Sequence, residues 1–306
     1  MSKRETVSNA GAAETARLLR LATHASVATA SLLILVKLVA WLLTGSVSVL
    51  ASLVDSAMDA GASLVNLFAV RWSLLPPDEH HRFGHGKAQA LAALAQATFI
   101  AGSALFLGVQ AVDRMIHPRP VVEIGVGFGV IGFAILVTLG LLAIQHHVIR
   151  RTGSAAIRAD ALHYATDLAT NTATLAALGL TAMGWPGSDP LFGLGIGLYI
   201  LYGASRIGIE AVQLLMDQEL PEDQRQRIAT LALAGPMVRG MHGLRTRQSG
   251  QSPIIQLHLE LDDELPLKTA HGLALEAEAR IRKQYPDSDI LIHLDPASLG
   301  KEVAEP

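Results

Sequence analysis

There is no cysteine anywhere in the chain. That excludes disulfides, thiolate metal sites and cysteine nucleophiles, and leaves histidine and carboxylates as the strong ligands available. Charge is also scarce, at 17% of 306 residues against 50% hydrophobic, with a mean hydropathy of +0.37. A soluble protein of this size carries more charge, so the chain reads as an integral membrane protein. The net charge of −3 comes with no basic patch interleaved with aromatics, which removes any reason to invoke nucleic acid. The N-terminal stretch MSKRETVSNAGAAETARLLR has no apolar core ahead of a cleavage site, so no cleaved signal peptide is expected. No sustained repeat and no low-complexity tract interrupts the chain.

What is present is a set of six apolar runs: Leu21 to Leu43, Val47 to Leu75, Ala88 to Ile116, Val121 to Ile149, Ala155 to Met183 and Leu191 to Leu215. Each is long enough to cross a bilayer as a helix, which takes about 20 residues. An even number of spans puts both termini on one side. Lys3, Arg4, Arg17, Arg20, Arg71, Arg82, Lys87, Arg150, Arg151 and Arg158 flank one face, against Arg114 and Arg119 on the other, so both termini are expected in the cytoplasm.

Two of the runs carry polar residues at helical spacing. In the second they are Ser52, Asp55, Ser56, Asp59, Ser63 and Asn66; in the fifth, Asp160, His163, Asp167, Asn171 and Thr174. Asp55 and Asp59, four residues apart, share a helix face, as do His163 and Asp167. Ionised groups inside a membrane are costly, so an intramembrane acid is by default a functional-site hypothesis. Facing one another, the two stripes predict a four-ligand site of three oxygens and one nitrogen. That set suits Zn²⁺ and could also hold Fe²⁺, Cd²⁺, Mn²⁺ or Co²⁺, whereas Cu⁺ prefers sulfur. The bland alternative, acids paired with Lys37 or hydrogen-bonded to Ser and Thr, accounts poorly for four ionisable groups on two facing stripes. Metal ligands must be deprotonated, and an imidazole titrates near ~6.5, so protons compete with metal and proton-for-metal exchange is the expected chemistry.

Glycines 125, 129, 132, 193 and 197 fall at spacings that favour close helix packing. Gly127-Phe-Gly129-Val-Ile-Gly132 also fits the dinucleotide-binding pattern, but without a preceding strand it is read as packing.

Two further ligand groups lie outside the apolar runs. Asp78, His81 and His85 sit in the short connector between the second and third runs and form a candidate accessory site beside the alternative of a solvated loop. After Asp217 the composition turns soluble: an amphipathic helix from Pro221 to Leu233, a strand near Met241 to Thr246, alternating strands at Ile254 to Leu261 and Asp289 to Asp295, and a helix from Pro266 to Gln284 between them. His242, His258, His271, His293 and Asp295 fall on these elements and suggest a binuclear cluster that Asp295 could bridge, against the alternative of scattered surface histidines. The fold expected is an all-α membrane domain with six transmembrane helices plus a C-terminal cytoplasmic α+β domain of order α-β-β-α-β. Its divisions are a segment 1–20, a transport domain 21–217, a metal-binding and dimerisation domain 218–300 and a tail 301–306.

The stretches LVDSAMDAGASLVNL, FGHGKAQALAALAQ and ALHYATDLATN, followed by the histidine-rich C-terminal domain, resemble the cation diffusion facilitator family, and within it the bacterial zinc and iron exporters. The resemblance runs from about Ser31 to Asp295. It implies a homodimer in the bacterial inner membrane whose cytoplasmic domain is metallochaperone-like and which exchanges divalent metal for protons by alternating access. It implies that Asp55, Asp59, His163 and Asp167 form the transport site, with Asp at the first position and His at the third associated with zinc and cadmium over manganese. Asp78, His81 and His85 would be the loop site, and the five C-terminal ligands a cluster at the dimer interface. Lys87 with Asp217 would match a charge pair at that interface. Two other classes compete: an intramembrane metalloenzyme, which should show a general base beside an open metal position, and a membrane metal sensor, which needs the soluble domain but not the two polar stripes.

Overall fold

The computed structural model describes residues 3–45, 47–117, 125–182 and 188–299. These form two compact units: one of Glu14–Leu75 with Ala88–Val212, the other of Met1–Ala13, Pro76–Lys87 and Gln213–Pro306.

The first unit is helical, built from most of α1 (Lys3–Thr44), from α2 (Val47–Ser73), α3 (Ala88–Ile116), α4 (Gly125–Thr152) and α5 (Ala155–Ala182), and from most of α6 (Ser188–Leu215). Five of them are long and apolar enough to cross a membrane; α5 has the length, but its polar stripe lowers its hydropathy. The helix α1 starts well before the apolar run at Leu21, so the polar N-terminal segment is continuous with the first span. Val121 to Ile124, Arg119, Met183 and the tail lie outside the described residues.

Helix contacts follow residue size. On α3 the buried positions Ala93, Ala97, Ile100, Ala104 and Ala111 recur every three to seven residues, and Ile100 and Ala104 pack on Ile200 and Ala204 of α6. A Cβ on Gly197 would lie 3.3 Å from the Ala104 carbonyl oxygen, so glycine lets the two backbones approach here. The outward faces show Leu105, Phe106, Val109, Leu198 and Tyr199, side chains whose solvent is lipid.

In the second unit, α7 (Glu222–Leu233) and α8 (Leu267–Gln284), each preceded by a proline, pack with a three-stranded sheet. Strand β1 (Val238–Ser249) is antiparallel to β2 (Ser252–Leu261), and β3 (Asp289–Pro296) runs parallel to β2 after the α8 crossover. Ile255, Leu257, Leu259 and Leu261 bury one face of β2 against Ile228, Leu273, Ala277 and Ile281. Each such leucine or isoleucine side chain contributes about 1.5–3 kcal/mol by burial. The strand β1 is longer at both ends than the stretch from Met241 to Thr246, because its pairing continues to the Gly250–Gln251 turn, where Gly250 takes φ +61°. The register sets His242 opposite His258, and His258 opposite His293. Three histidines therefore stand in one row across the sheet.

Candidate metal centres

Helices α2 and α5 bring Asp59, His163 and Asp167 together, with one ligand atom of each within 4.8 Å of the others. His163 Nε2 lies 3.1 Å from Asp59 Oδ1 and 3.9 Å from Asp167 Oδ2. His163 is 6% exposed, and despite those short distances its Nε2 makes no aligned hydrogen bond. A buried ring nitrogen and two carboxylates so placed could hold a divalent cation. Asp55, expected at the same point, is not in this group; it stands one turn along α2 and lines the same cavity of about 220 Å³. Spacing of i and i+4 fixes a common face but not equal reach, because successive turns rise along the axis. Lys37 also lines the cavity, donating to Ser52 O at 3.2 Å and Ser56 Oγ at 2.6 Å, so its bonds go to α2 oxygens other than the carboxylates.

Asp160 departs from the predicted stripe. It is fully buried, does not line the cavity, and accepts bonds from Ser26, Gln96 and Gln145. Ser63 and Asn66 of α2 likewise lie beyond the cavity, fully buried.

In the α2–α3 connector, ligand atoms of Asp78, His81 and His85 also fall within 4.8 Å. Asp78 Oδ1 accepts from the backbone N–H of His80 at 2.9 Å and of His81 at 2.6 Å, while Oδ2 lies 3.3 Å from His85 Nε2. The amide donors, first that of His81, hold the Asp78 carboxyl below its usual range and so favour its ionised form. The connector lies on the β1–β2 turn. Arg247 sits over the Phe83 ring at 4.9 Å, and a Cβ on Gly86 would lie 2.5 Å from Ser249 O. Lys87 Nζ pairs with Asp217 Oδ1 at 2.9 Å within the chain, and Arg247 pairs with the other oxygen at 3.0 Å. The Lys87 hydrogen bond, with that of Arg247, lowers the Asp217 pKa.

On the sheet, His242, His258 and Asp295 form the third group. Asp295 Oδ2 lies 2.7 Å from His258 Nδ1 and 3.4 Å from His242 Nε2, and Oδ1 lies 3.2 Å from His293 Nε2. His271, on α8, is exposed and outside this group. One residue passed over in the sequence belongs here: Glu260 Oε1 lies 2.8 Å from His242 Nδ1. Its signal was the spacing, since Glu260 shares a strand face with His258. The carboxylate fixes the His242 ring with Nε2 toward Asp295, and that buried nitrogen has no hydrogen-bond partner, which fits a metal ligand.

Residues 23–216 match the family described as the cation efflux transmembrane domain, and residues 220–297 match the cation efflux protein cytoplasmic domain. The chain belongs to the cation diffusion facilitator family. Among its relatives are the cation-efflux pumps FieF of Klebsiella pneumoniae subsp. pneumoniae and of Escherichia coli strain K12, each 53% identical over 283 residues, covering 92% of this chain and 94% of the relative. The metal-bound C-terminal domain of the CzcD transporter from Thermotoga maritima is 29% identical and covers 26% of this chain and 90% of that one, with a TM-score of 0.24. Membership makes this protein a multi-pass membrane transporter for the efflux of divalent cations, and the metalloenzyme and sensor readings fall away.

Proposed function

We propose that this facilitator exports Zn²⁺ in exchange for protons, with Fe²⁺ and Cd²⁺ as further substrates, through a transport site formed by Asp55, Asp59, His163 and Asp167. The observation that carries this reading is the convergence of Asp59, His163 and Asp167 beside a cavity within the membrane-spanning helices. Carboxylates and a neutral imidazole bind the cation; the same atoms, once protonated, cannot. Protons arriving from one side therefore release metal, and metal arriving from the other releases protons. Alternating access turns that competition into exchange.

Both termini lie in the cytoplasm in this reading, and the protein sits in the inner membrane as a homodimer. Asp78, His81 and His85 bind metal as an accessory loop site. His242, His258, His293 and Asp295 hold zinc as a structural and regulatory ion in the cytoplasmic domain. His271, exposed on α8, is available to the cluster of a second copy. Lys87 and Asp217 brace the same region from within each chain.

Reconstituted vesicles test the proposal. Zinc-driven proton flux should vanish in Asp59→Ala while the protein stays folded, and normal flux would refute the assignment. Collapsing the pH gradient should stop uphill zinc accumulation; its persistence would exclude proton exchange.

A further inference from the structure

The cavity ends abruptly on one side of the ligands. Its lining residues on α2 run from Ser52 to Asp59 and on α5 from His163 to Asn171. The next polar residues toward the α2–α3 connector are buried and bonded to one another. Asp160, one turn from His163, accepts from Ser26 Oγ of α1 at 2.5 Å and from Gln145 Nε2 of α4 at 2.8 Å on Oδ2, and from Gln96 Nε2 of α3 at 3.4 Å on Oδ1. Tyr164 OH donates to Ser26 O at 3.2 Å and meets Ser63 Oγ of α2 at 2.8 Å. Five helices are tied at this level, and an apolar plug that includes Leu19, Val70, Val148 and Ile157 follows beyond it.

A permanent seal is best made of apolar side chains, because a carboxylate among neutral donors loses hydration that they replace only in part. The knot also keeps unused bonding capacity: Gln96 Oε1, Gln145 Oε1 and both amide atoms of Asn66 are buried without a partner. These atoms have no protein partner in this arrangement, so bonding capacity is available to a second one.

We propose that Asp160 is a latch, a positioning residue that holds α5 to α1, α3 and α4 and closes the cavity on the side of the α2–α3 connector, and that the protein opens to that side by releasing it. Water then reaches the amides of Gln96, Gln145 and Asn66. The inference rests on the transport-site reading for its consequence, but its test does not.

The cysteine-free chain allows a single reporter, Asn66→Cys, a position that is fully buried here. In reconstituted vesicles without metal, a membrane-impermeant thiol reagent is applied to one side at a time. With Ser26→Ala or Asp160→Asn added, labelling from the connector side should rise about tenfold, the shift given by losing one buried hydrogen bond. Labelling from the opposite side should stay at its starting level, and Ser26→Thr, which keeps the hydroxyl, should behave as the parent. An unchanged rate, or an equal rise from both sides, would overturn the latch. Ser26→Ala removes one hydroxyl only, so it decides the matter if Asp160→Asn does not fold. Zinc flux is not measured here, so the result is independent of the transport assignment.

Discussion

His163 Nε2 stands 3.1 Å from Asp59 Oδ1, joining α5 to α2. One residue further along α5, Tyr164 OH meets Ser63 Oγ of α2 at 2.8 Å. The candidate ligand group and the helix pairing therefore share a boundary, since Asp59 and Ser63 stand on adjacent turns of α2.

The two aspartates of α2 should not be equivalent. Asp59 belongs to the close ligand group and Asp55 stands a turn away. Asp59→Asn should weaken zinc binding by at least about 100-fold and Asp55→Asn by about tenfold, on the scale set by outer groups that tune a metal site. Calorimetric titration of the purified protein measures both, and equal losses would mean that both carboxylates bind directly.

Glu260 orients His242, and Gly240 leaves it room: a Cβ there would lie 2.3 Å from Glu260 Oε2. Glu260→Ala should lower metal affinity of the cytoplasmic cluster by about 10–100-fold, and Glu260→Gln, which still accepts the ring N–H, by less. Titrating Co²⁺ into an Asp59→Ala, Asp78→Ala background, which removes both the membrane and the loop ligand groups, and following its absorption isolates this site.

Gly86 and Gly250 meet backbone to backbone. A Cβ on Gly250 would lie 2.8 Å from Gly86 Cα, and its φ of +61° is unfavourable for a β-branched residue. Either glycine changed to valine should cost about 1–3 kcal/mol, as overpacking does, read as a lowered unfolding midpoint.

Asp217 has a lowered pKa, with Lys87 as the first cause, so its pairing stabilises the fold above the ordinary carboxyl value near ~3.9 and is lost as pH falls through the lowered one. With both Asp217 and Lys87 partly exposed, the effect should be at most about 1 kcal/mol. Asp217 also holds φ 58°, which asparagine tolerates, so Asp217→Asn removes charge without straining the backbone. Melting curves of the two proteins should differ between pH 5 and 8 and converge only once the pH has fallen below the lowered value, where the carboxyl is protonated in both states.

Much was legible in the chain. The six helices and the α-β-β-α-β order follow from hydropathy runs and from residues alternating with period two, both local properties. The pairing of Asp59 with His163 and Asp167 was legible too, because charges in apolar helices have few places to go. Asp160 was not: it shares the polar spacing of its helix, yet turns to Ser26, Gln96 and Gln145, which sit in three other helices and look like ordinary polar residues in sequence.

By itself, then, the sequence determined which segments cross the membrane, which residues can ligate a cation and which strand faces carry them, since periodicity and the cost of buried charge act along the chain. It took the folded chain to show that Asp59, His163 and Asp167 close to within 4.8 Å while Asp55 lines the same cavity, that Glu260 sets the His242 ring, and that the connector rests on the β1–β2 turn. Those outcomes depend on distances of a few ångströms between elements far apart in sequence, where register and side-chain reach, not residue type, fix what touches.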